Sequence, residues 1–289
     1  MDARAQMLAQ FATLSPKLQA AARFVVDHPN EVVIGSMRTL AQRAGAQPAT
    51  LVRLAQHLGY AGWPALKAAF AKDLGLHSEA YGQRAKRLAA HGSRNDLSAE
   101  LFNAQHHNLA STSALCSATL EDAAKLLKKA KAVHVAGFRA SFSVAHALVY
   151  GYRLFRDTVQ LIDGQGGGLE MQLRPFSSRD AVVVISFAPY SREALLVIEA
   201  ARAAGARIVA ITDSHASPLA LAADVALLFA ADSPSFFPSL TAAMALVEAL
   251  LALVVADAGP AVVGKIEMAE QHLRQSGAYL PASAKHQSG

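Results

Sequence analysis

Apolar residues change their spacing about a third of the way along the chain. Up to about residue 78 they recur at the three- and four-residue intervals of amphipathic helices, and no segment alternates as a half-buried strand would. From about residue 131 they gather into short unbroken runs, AVHVAG, TVQLIDG, AVVVISF, RIVAITD and VALLFA, separated by longer helical patterns. Strands that are apolar throughout are buried on both faces, the condition of a parallel sheet covered by helices. The pattern predicts an all-α N-terminal domain over residues 1–78 and a polar linker over 79–95 that contains Gly82 and Gly92. A doubly wound, five-stranded parallel α/β domain is expected over 96–289, introduced by helices near 96–115 and 120–130.

Within the N-terminal third, Ser15-Pro16 places a hydroxyl before a proline, a favourable helix start, and the helix KLQAAARFVVDH stops at Pro29. Ser36 is expected to cap a second helix, MRTLAQRAG, closed by Gly45. The next helix runs from Pro48 to Gly59, and a fourth passes through WPALKAAFAKDL. Two short helices joined by a glycine-containing turn make a helix-turn-helix. Along the helix that begins at Pro48, Leu51, Leu54, Ala55 and Leu58 fall in one arc, while Thr50, Arg53, Gln56 and His57 cluster on roughly the opposite side. These are donors for phosphates and base edges, and arginine is the side chain best shaped to grip guanine. Arg53 is therefore the leading base-reading residue, with Gln47 and Pro48 at the helix start, and Arg38, Arg43 and Lys67 adding phosphate contacts. The same spacing also describes an ordinary amphipathic helix with a polar outer face.

Charge favours the first of these readings. The chain of 289 residues carries a formal net charge of +5. Residues 1–90 hold 11 Lys and Arg against 5 Asp and Glu, so the whole basic excess lies there. Such a field attracts polyanions, nucleic acid foremost. Cys116 is the only cysteine, which excludes an intrachain disulfide and any multi-cysteine metal site and fits a reducing cytoplasm. His106 and His107 are adjacent and diverge on a helix, so no metal site is expected, and no cofactor. SLTAAMALVEALLALVVADAG is apolar enough to suggest a membrane span, but Glu248 in its middle and Asp257 near its end favour a buried or interface helix.

In open parallel sheets ligands bind at the C-terminal ends of strands. The first strand runs into GFRASFSVAHAL, where Gly137 permits a tight turn and Ser141 opens a helix whose backbone N–H groups suit an anion. The third strand runs into ISFAPYSREAL, with Ser186 and Ser191 on either side of Pro189-Tyr190. Either serine alone serves equally as a helix cap, whereas two hydroxyl-bearing helix starts side by side suit a phosphate or polyol. GQGGG at 164–168 lacks the Lys-Ser/Thr of a phosphate-binding loop and is a connection near the strand ends.

These motifs carry a resemblance. AARFVVDHPNEVVIGSMRTLAQRAGAQPATLVRLAQHLGYAGWPALKAAF, through its HP, S-x-x-x-L-A-x-x-A-G and P-A-T-L-V-R-L-A-x-x-L-G-Y elements, resembles the N-terminal domain of the RpiR/MurR transcription regulators over about residues 14–74. Gln47 stands where that family usually has serine, giving up a helix cap. Residues 96–260 are similar to the flavodoxin-like sugar isomerase (SIS) domain, which in these regulators senses a phosphosugar. Against the usual turns G-x-G-x-S and S-x-S-G-x-T/S, Ser141, Ser186 and Ser191 match, while Arg139, Ala188 and Pro189 depart. Either Arg139 compensates with charge for the donors lost at Ala188 and Pro189, or the ligand is a different anion or a less phosphorylated polyol.

The resemblance implies a cytoplasmic bacterial regulator that binds double-stranded operator DNA as a homodimer or homotetramer, and the apolar helix at 239–256 is a candidate self-association surface. Its effector, a sugar phosphate or related anionic or polyol metabolite, would be held by Gly137, Arg139, Ser141, Ser186, Tyr190, Ser191 and Glu248. SIS domains also occur in aldose–ketose isomerases, for which Glu248 and His146 are the candidate bases. No acid–base constellation is evident, so no catalytic residue is assigned and a non-enzyme is expected.

Overall fold

The computed structural model describes residues 3–73, 80–90 and 94–279. The expected boundary at residue 78, the linker's Gly92 and the last residues of the C-terminal domain lie outside them. Six helices open the chain: α1 (Ala3–Gln10), α2 (Pro16–Asp27), α3 (Pro29–Ile34), α4 (Met37–Arg43), α5 (Pro48–His57) and α6 (Trp63–Asp73). They enclose a core that includes Met7, Val25, Leu40, Leu51, Leu54, Trp63, Leu66 and Phe70. Pro29 does end α2, but it also begins α3, because a proline at the first helical position gives up only an N–H that has no intrahelical partner.

The caps differ from one another. Ser36 accepts a hydrogen bond from the Thr39 amide at 3.1 Å, as expected. Ser15 occupies the cap position of α2 yet makes no side-chain cap bond, and Gln47 makes none for α5. Gly45, at φ 61°, turns the chain from α4 into α5.

Helix α7 (Tyr81–Ala89) lies within the predicted linker, and α8 (Arg94–Cys116) and α9 (Thr119–Lys129) lead to the sheet. The strands β1 (Val133–Gly137), β2 (Val159–Ile162), β3 (Ala181–Ile185), β4 (Arg207–Thr212) and β5 (Val225–Leu228) are all parallel, in the order β2-β1-β3-β4-β5. One face is covered by α9, α10 (Ser141–Arg153) and α14 (Thr241–Ala258), the other by α11 (Leu169–Leu173), α12 (Arg192–Ala203) and α13 (Pro218–Ala222). Helix α15 (Pro260–Gln275) follows α14. The edge of β5 is occupied by α8: the Cys116 thiol bonds the Leu228 carbonyl, and Thr112 Oγ1 accepts from the Ala230 amide. Helix α14 is long and apolar enough to cross a membrane. Here it lays Ala243, Leu246, Val247, Leu250 and Val254 into the sheet's core and turns Glu248 outward.

GQGGG forms an ordered turn. Asp163 and the Gln172 side chain hold its amides, the latter accepting from the Gly164 N–H at 2.8 Å.

A buried histidine interrupts the apolar strands. His134 of β1 packs at a tilt against Phe176 and lies 3.8 Å from Asp180, and neither ring nitrogen has a hydrogen-bond partner. Burial pushes its pKa below the ordinary value despite the opposing pull of Asp180. Unfolding therefore takes up a proton once the pH falls below about 6.5, where a free histidine titrates, so the native state loses stability on acidification through that range. Urea melts at pH 7.5 and 5.5 are expected to show this loss, and His134→Leu is expected to shrink it. Adding a cap with Gln47→Ser should raise stability by about 1 kcal/mol in the same melts.

Candidate functional site

The strand ends converge on a cavity of about 420 Å³. It is lined by the β1 turn (Phe138, Arg139, Ala140, Ser141), the β3 turn (Ser186, Phe187, Pro189 to Arg192), Tyr81 of α7 and Phe237 of the loop after β5. Ser141, Ser186 and Ser191 are all buried. Ser191 caps α12 by accepting from the Ala194 amide at 3.2 Å, and its own amide donates to Ser186 Oγ at 3.2 Å. The β3 turn is thus closed on itself by its two serines. Ser141 is the first helical residue of α10 and lines the cavity, while the Ser141 and Phe142 amides donate within the turn, to the Phe138 and Arg139 carbonyls.

Arg139 provides the charge expected of it but in an unforeseen conformation. It is the only non-glycine residue with positive φ among those described, at 54°. Its exposed guanidinium reaches Glu193 at 3.2 Å. An exposed pair of this kind contributes about 0–1 kcal/mol, so an incoming anion can compete for the arginine.

Tyr190 donates its hydroxyl to Asp213 at 2.8 Å, and the other Asp213 oxygen accepts from the Ala188 amide at 3.1 Å. The Ala188-Pro189 peptide between them is cis. Burial first, then the Asp213 charge, pushes the Tyr190 phenol far above its ordinary pKa, so it stays a neutral donor. Tyr81 meets Phe237 at 5.0 Å between ring centroids, and Phe237 meets Phe187 edge-on, forming an aromatic wall.

Several expectations need correction. Glu248 does not line the cavity: two turns into α14, it lies off that helix's buried face and is exposed. His146 is also exposed, stacked on Phe142 along α10. Gly137 is neither a wall residue nor the left-handed residue of its turn. Its role is close packing, since a Cβ there would meet Ala145 Cβ and the Ser141 carbonyl, each at 2.6 Å. Asp213, Tyr81, Phe237 and Arg192 were not anticipated. For Asp213 a signal existed, since it follows the fourth strand directly. Among the described residues no grouping of His, Cys, Asp and Glu has the geometry of a metal site.

On the N-terminal helices, Leu51, Leu54, Ala55 and Leu58 are buried, whereas Arg38, Arg43, Gln47, Arg53, Gln56 and His57 are exposed and Pro48 and Thr50 half-buried. The α5 helix therefore has the two faces its spacing predicts. Arg43 is less available than expected, being paired with Glu31 at 2.6 Å and set over Phe24. Lys67 belongs to a different surface. Its ammonium donates to the Gly35 carbonyl at 2.9 Å and faces the β3 turn of the sheet region.

The chain thus joins a helix-turn-helix with an exposed polar and basic face to a doubly wound sheet with a cavity at its strand ends. A model of the rpiR-family helix-turn-helix domain matches residues 5–76, and a model of the SIS domain matches residues 126–253. Together the two matches give the chain the pair of domains, helix-turn-helix and SIS, in the order found in RpiR-type proteins.

Among curated relatives, it is 28% identical to the bifunctional protein glk of Burkholderia mallei over 74% of this chain but 33% of that protein, so it spans about a third of that relative's length. It is 27% identical to the HTH-type transcriptional regulator HexR of Pseudomonas aeruginosa, over 77% of this chain and 76% of HexR. The solved Vibrio vulnificus NanR protein complexed with ManNAc-6P shares the fold over 95% of this chain and 99% of its own, with a TM-score of 0.59 and 19% identity.

Glycine accepts positive φ freely, whereas a left-handed side-chain residue costs roughly 1–2 kcal/mol. Arg139→Gly is therefore expected to leave the melting temperature unchanged or higher while weakening phosphate-ester binding in calorimetric titrations. A joint loss of stability and binding would contradict a ligand role for this arginine.

Proposed function

We propose that this protein is a cytoplasmic bacterial transcription regulator whose residues 1–78 bind operator DNA and whose residues 96–289 sense a sugar phosphate or related anionic metabolite. The observation that carries the sensing role is the cavity at the ends of β1 and β3. There the α10 N-terminus, three buried serines, Arg139 and the Tyr190 hydroxyl lie around one space of about 420 Å³. Donors and positive charge around a space of that size suit a phosphorylated sugar. The phosphosugar complex of NanR supports the same ligand class through a shared fold.

In this reading α5 enters the major groove. Arg53, exposed and without an ion pair among the described residues, reads a base, and Arg38, Gln47, Pro48, Thr50, Gln56 and His57 hold the helix in place. Arg43 contributes once released from Glu31.

Catalysis is the weaker reading. Aldose–ketose isomerisation needs a base beside the substrate carbonyl. The two candidates, Glu248 and His146, lie outside the cavity wall, and no Asp, Glu or His is among the described residues lining it. Self-association is supported by an apolar groove between α8 and α14, lined by Leu109, Leu120, Ala245 and Ala249, with Phe102 and Leu115 exposed on α8. Helix-turn-helix proteins bind paired half-sites as dimers.

The test is fluorescence anisotropy on the upstream DNA of the protein's own gene against a scrambled duplex at about 150 mM salt, where non-specific electrostatics are screened. Wild type is expected to prefer the native duplex, and Arg53→Ala to lose about 1–3 kcal/mol and relax its preference at one base pair. Adding the bound sugar phosphate should shift operator affinity. Effector binding with no such shift would sink the regulatory coupling.

A further inference from the structure

We propose that the cleft between the N-terminal helices and the start of α12 is a second anion site, which takes a phosphate or carboxylate group. It adjoins the effector cavity, and the arm in which the effector fills it rests on the proposed sugar-phosphate function, whereas binding of a free ion does not. The cleft measures about 400 Å³ and is lined by Val33, Gly35, Ser36 and Lys67 on one side and by Pro189, Tyr190, Arg192 and Leu195 on the other.

Its charges are one-sided. Lys67 and Arg192 bring two cations, and no acidic side chain is among the described lining residues. Glu31 of α3 and Glu193 of α12 are turned to Arg43 and Arg139 instead. Lys67 is half-buried, with the Gly35 carbonyl as its hydrogen-bond acceptor at 2.9 Å. Burial without a carboxylate pulls its pKa below the ordinary lysine value, the mark of a cation that has lost water and gained no counter-charge. Two cations on facing walls, one of them a half-buried ammonium whose only hydrogen-bond partner among the described residues is a carbonyl, fit an occupant of opposite charge.

The anion has two possible sources. Pro189, Tyr190 and Arg192 line both the cleft and the effector cavity, so a second anionic group on the effector itself can reach the cleft past that turn. Alternatively, a free phosphate ion enters the cleft from solvent.

Calorimetric titration of the full chain with fructose 6-phosphate, fructose 1,6-bisphosphate and inorganic phosphate separates these sources. Phosphate is added both to the free protein and to its fructose 6-phosphate complex. If the effector supplies the second group, the bisphosphate binds about tenfold more tightly, the worth of one charge-assisted hydrogen bond, and the advantage disappears in Lys67→Gln. If a separate ion fills the cleft, the two esters bind alike and phosphate adds a second equivalent that Lys67→Gln removes. Arg192→Gln, on the opposite wall, repeats the comparison should Lys67→Gln melt early. The proposal is overturned if neither the bisphosphate's advantage nor phosphate binding responds to these substitutions. If neither ester binds, the sugar-phosphate reading fails, and phosphate titrated into the free protein still decides the cleft.

Discussion

The close approach of α10 to β1 at Gly137 sets the geometry of everything at the strand ends. With no Cβ in the way, the Ser141 carbonyl and Ala145 come within distances that any larger residue would forbid. Helix α10 therefore starts immediately beyond the strand, and its first turn faces the neighbouring β3 turn. The chain has only three residues, Phe138 to Ala140, in which to reverse, and it does so by driving Arg139 into the left-handed region. Packing thus requires the tight turn, and the turn aims the one cation of the β1 loop at the cavity rim. The backbone strain at Arg139 accompanies a charge that glycine, the conformationally easy choice, cannot supply.

The β3 side is built from polar contacts. Ser186 and Ser191 close the turn, Asp213 at the end of β4 ties down both Ala188 and Tyr190, and α12 begins where Ser191 caps it. These bonds hold the loop from below, while the loop's outer side faces the N-terminal helices across the Lys67 cleft. The turn that lines the strand-end cavity is therefore also a surface that faces the N-terminal helices. Tyr81 adds a second connection. It belongs to α7, the helix between the two halves, and lies on Phe237 in the cavity wall, while Arg84 of the same helix donates to the Ser233 carbonyl at 2.7 Å.

Much of this was legible in the sequence because it depends on local periodicity. The five apolar runs became the five strands, the arc of Leu51, Leu54 and Leu58 became the buried face of α5, and the serines of both turns reached the cavity. What was not legible depends on tertiary placement. Glu248 sits in a helix apolar nearly all round, so its sequence gave no face to assign, and the fold turned it outward. Lys67 looked like one more basic residue on the DNA side, but the docking of α3 and α6 against the β3 turn puts it elsewhere. Tyr81 lay in a segment read as linker, where nothing local marks an aromatic residue as part of a cavity wall. Asp213 is different in kind, since the strand-end rule that found the serines applies to it equally.

A ligand shifts an equilibrium only by as much as it distinguishes the two states. A cavity sealed within the sheet would give an effector no means of sensing where the DNA-binding helices lie. Here two parts of the wall belong to the boundary between the halves: the Pro189–Arg192 turn, which faces Lys67, and Tyr81, which is carried on α7. Any arrangement of the N-terminal half that moves α7 or presses on the β3 turn therefore changes the effector's own contacts. By reciprocity, occupancy of the cavity changes the cost of that arrangement. The boundary between the halves includes an open cleft of about 400 Å³ beside the β3 turn. A fully packed interface of the same extent would fix the two halves together and leave the effector little equilibrium to shift.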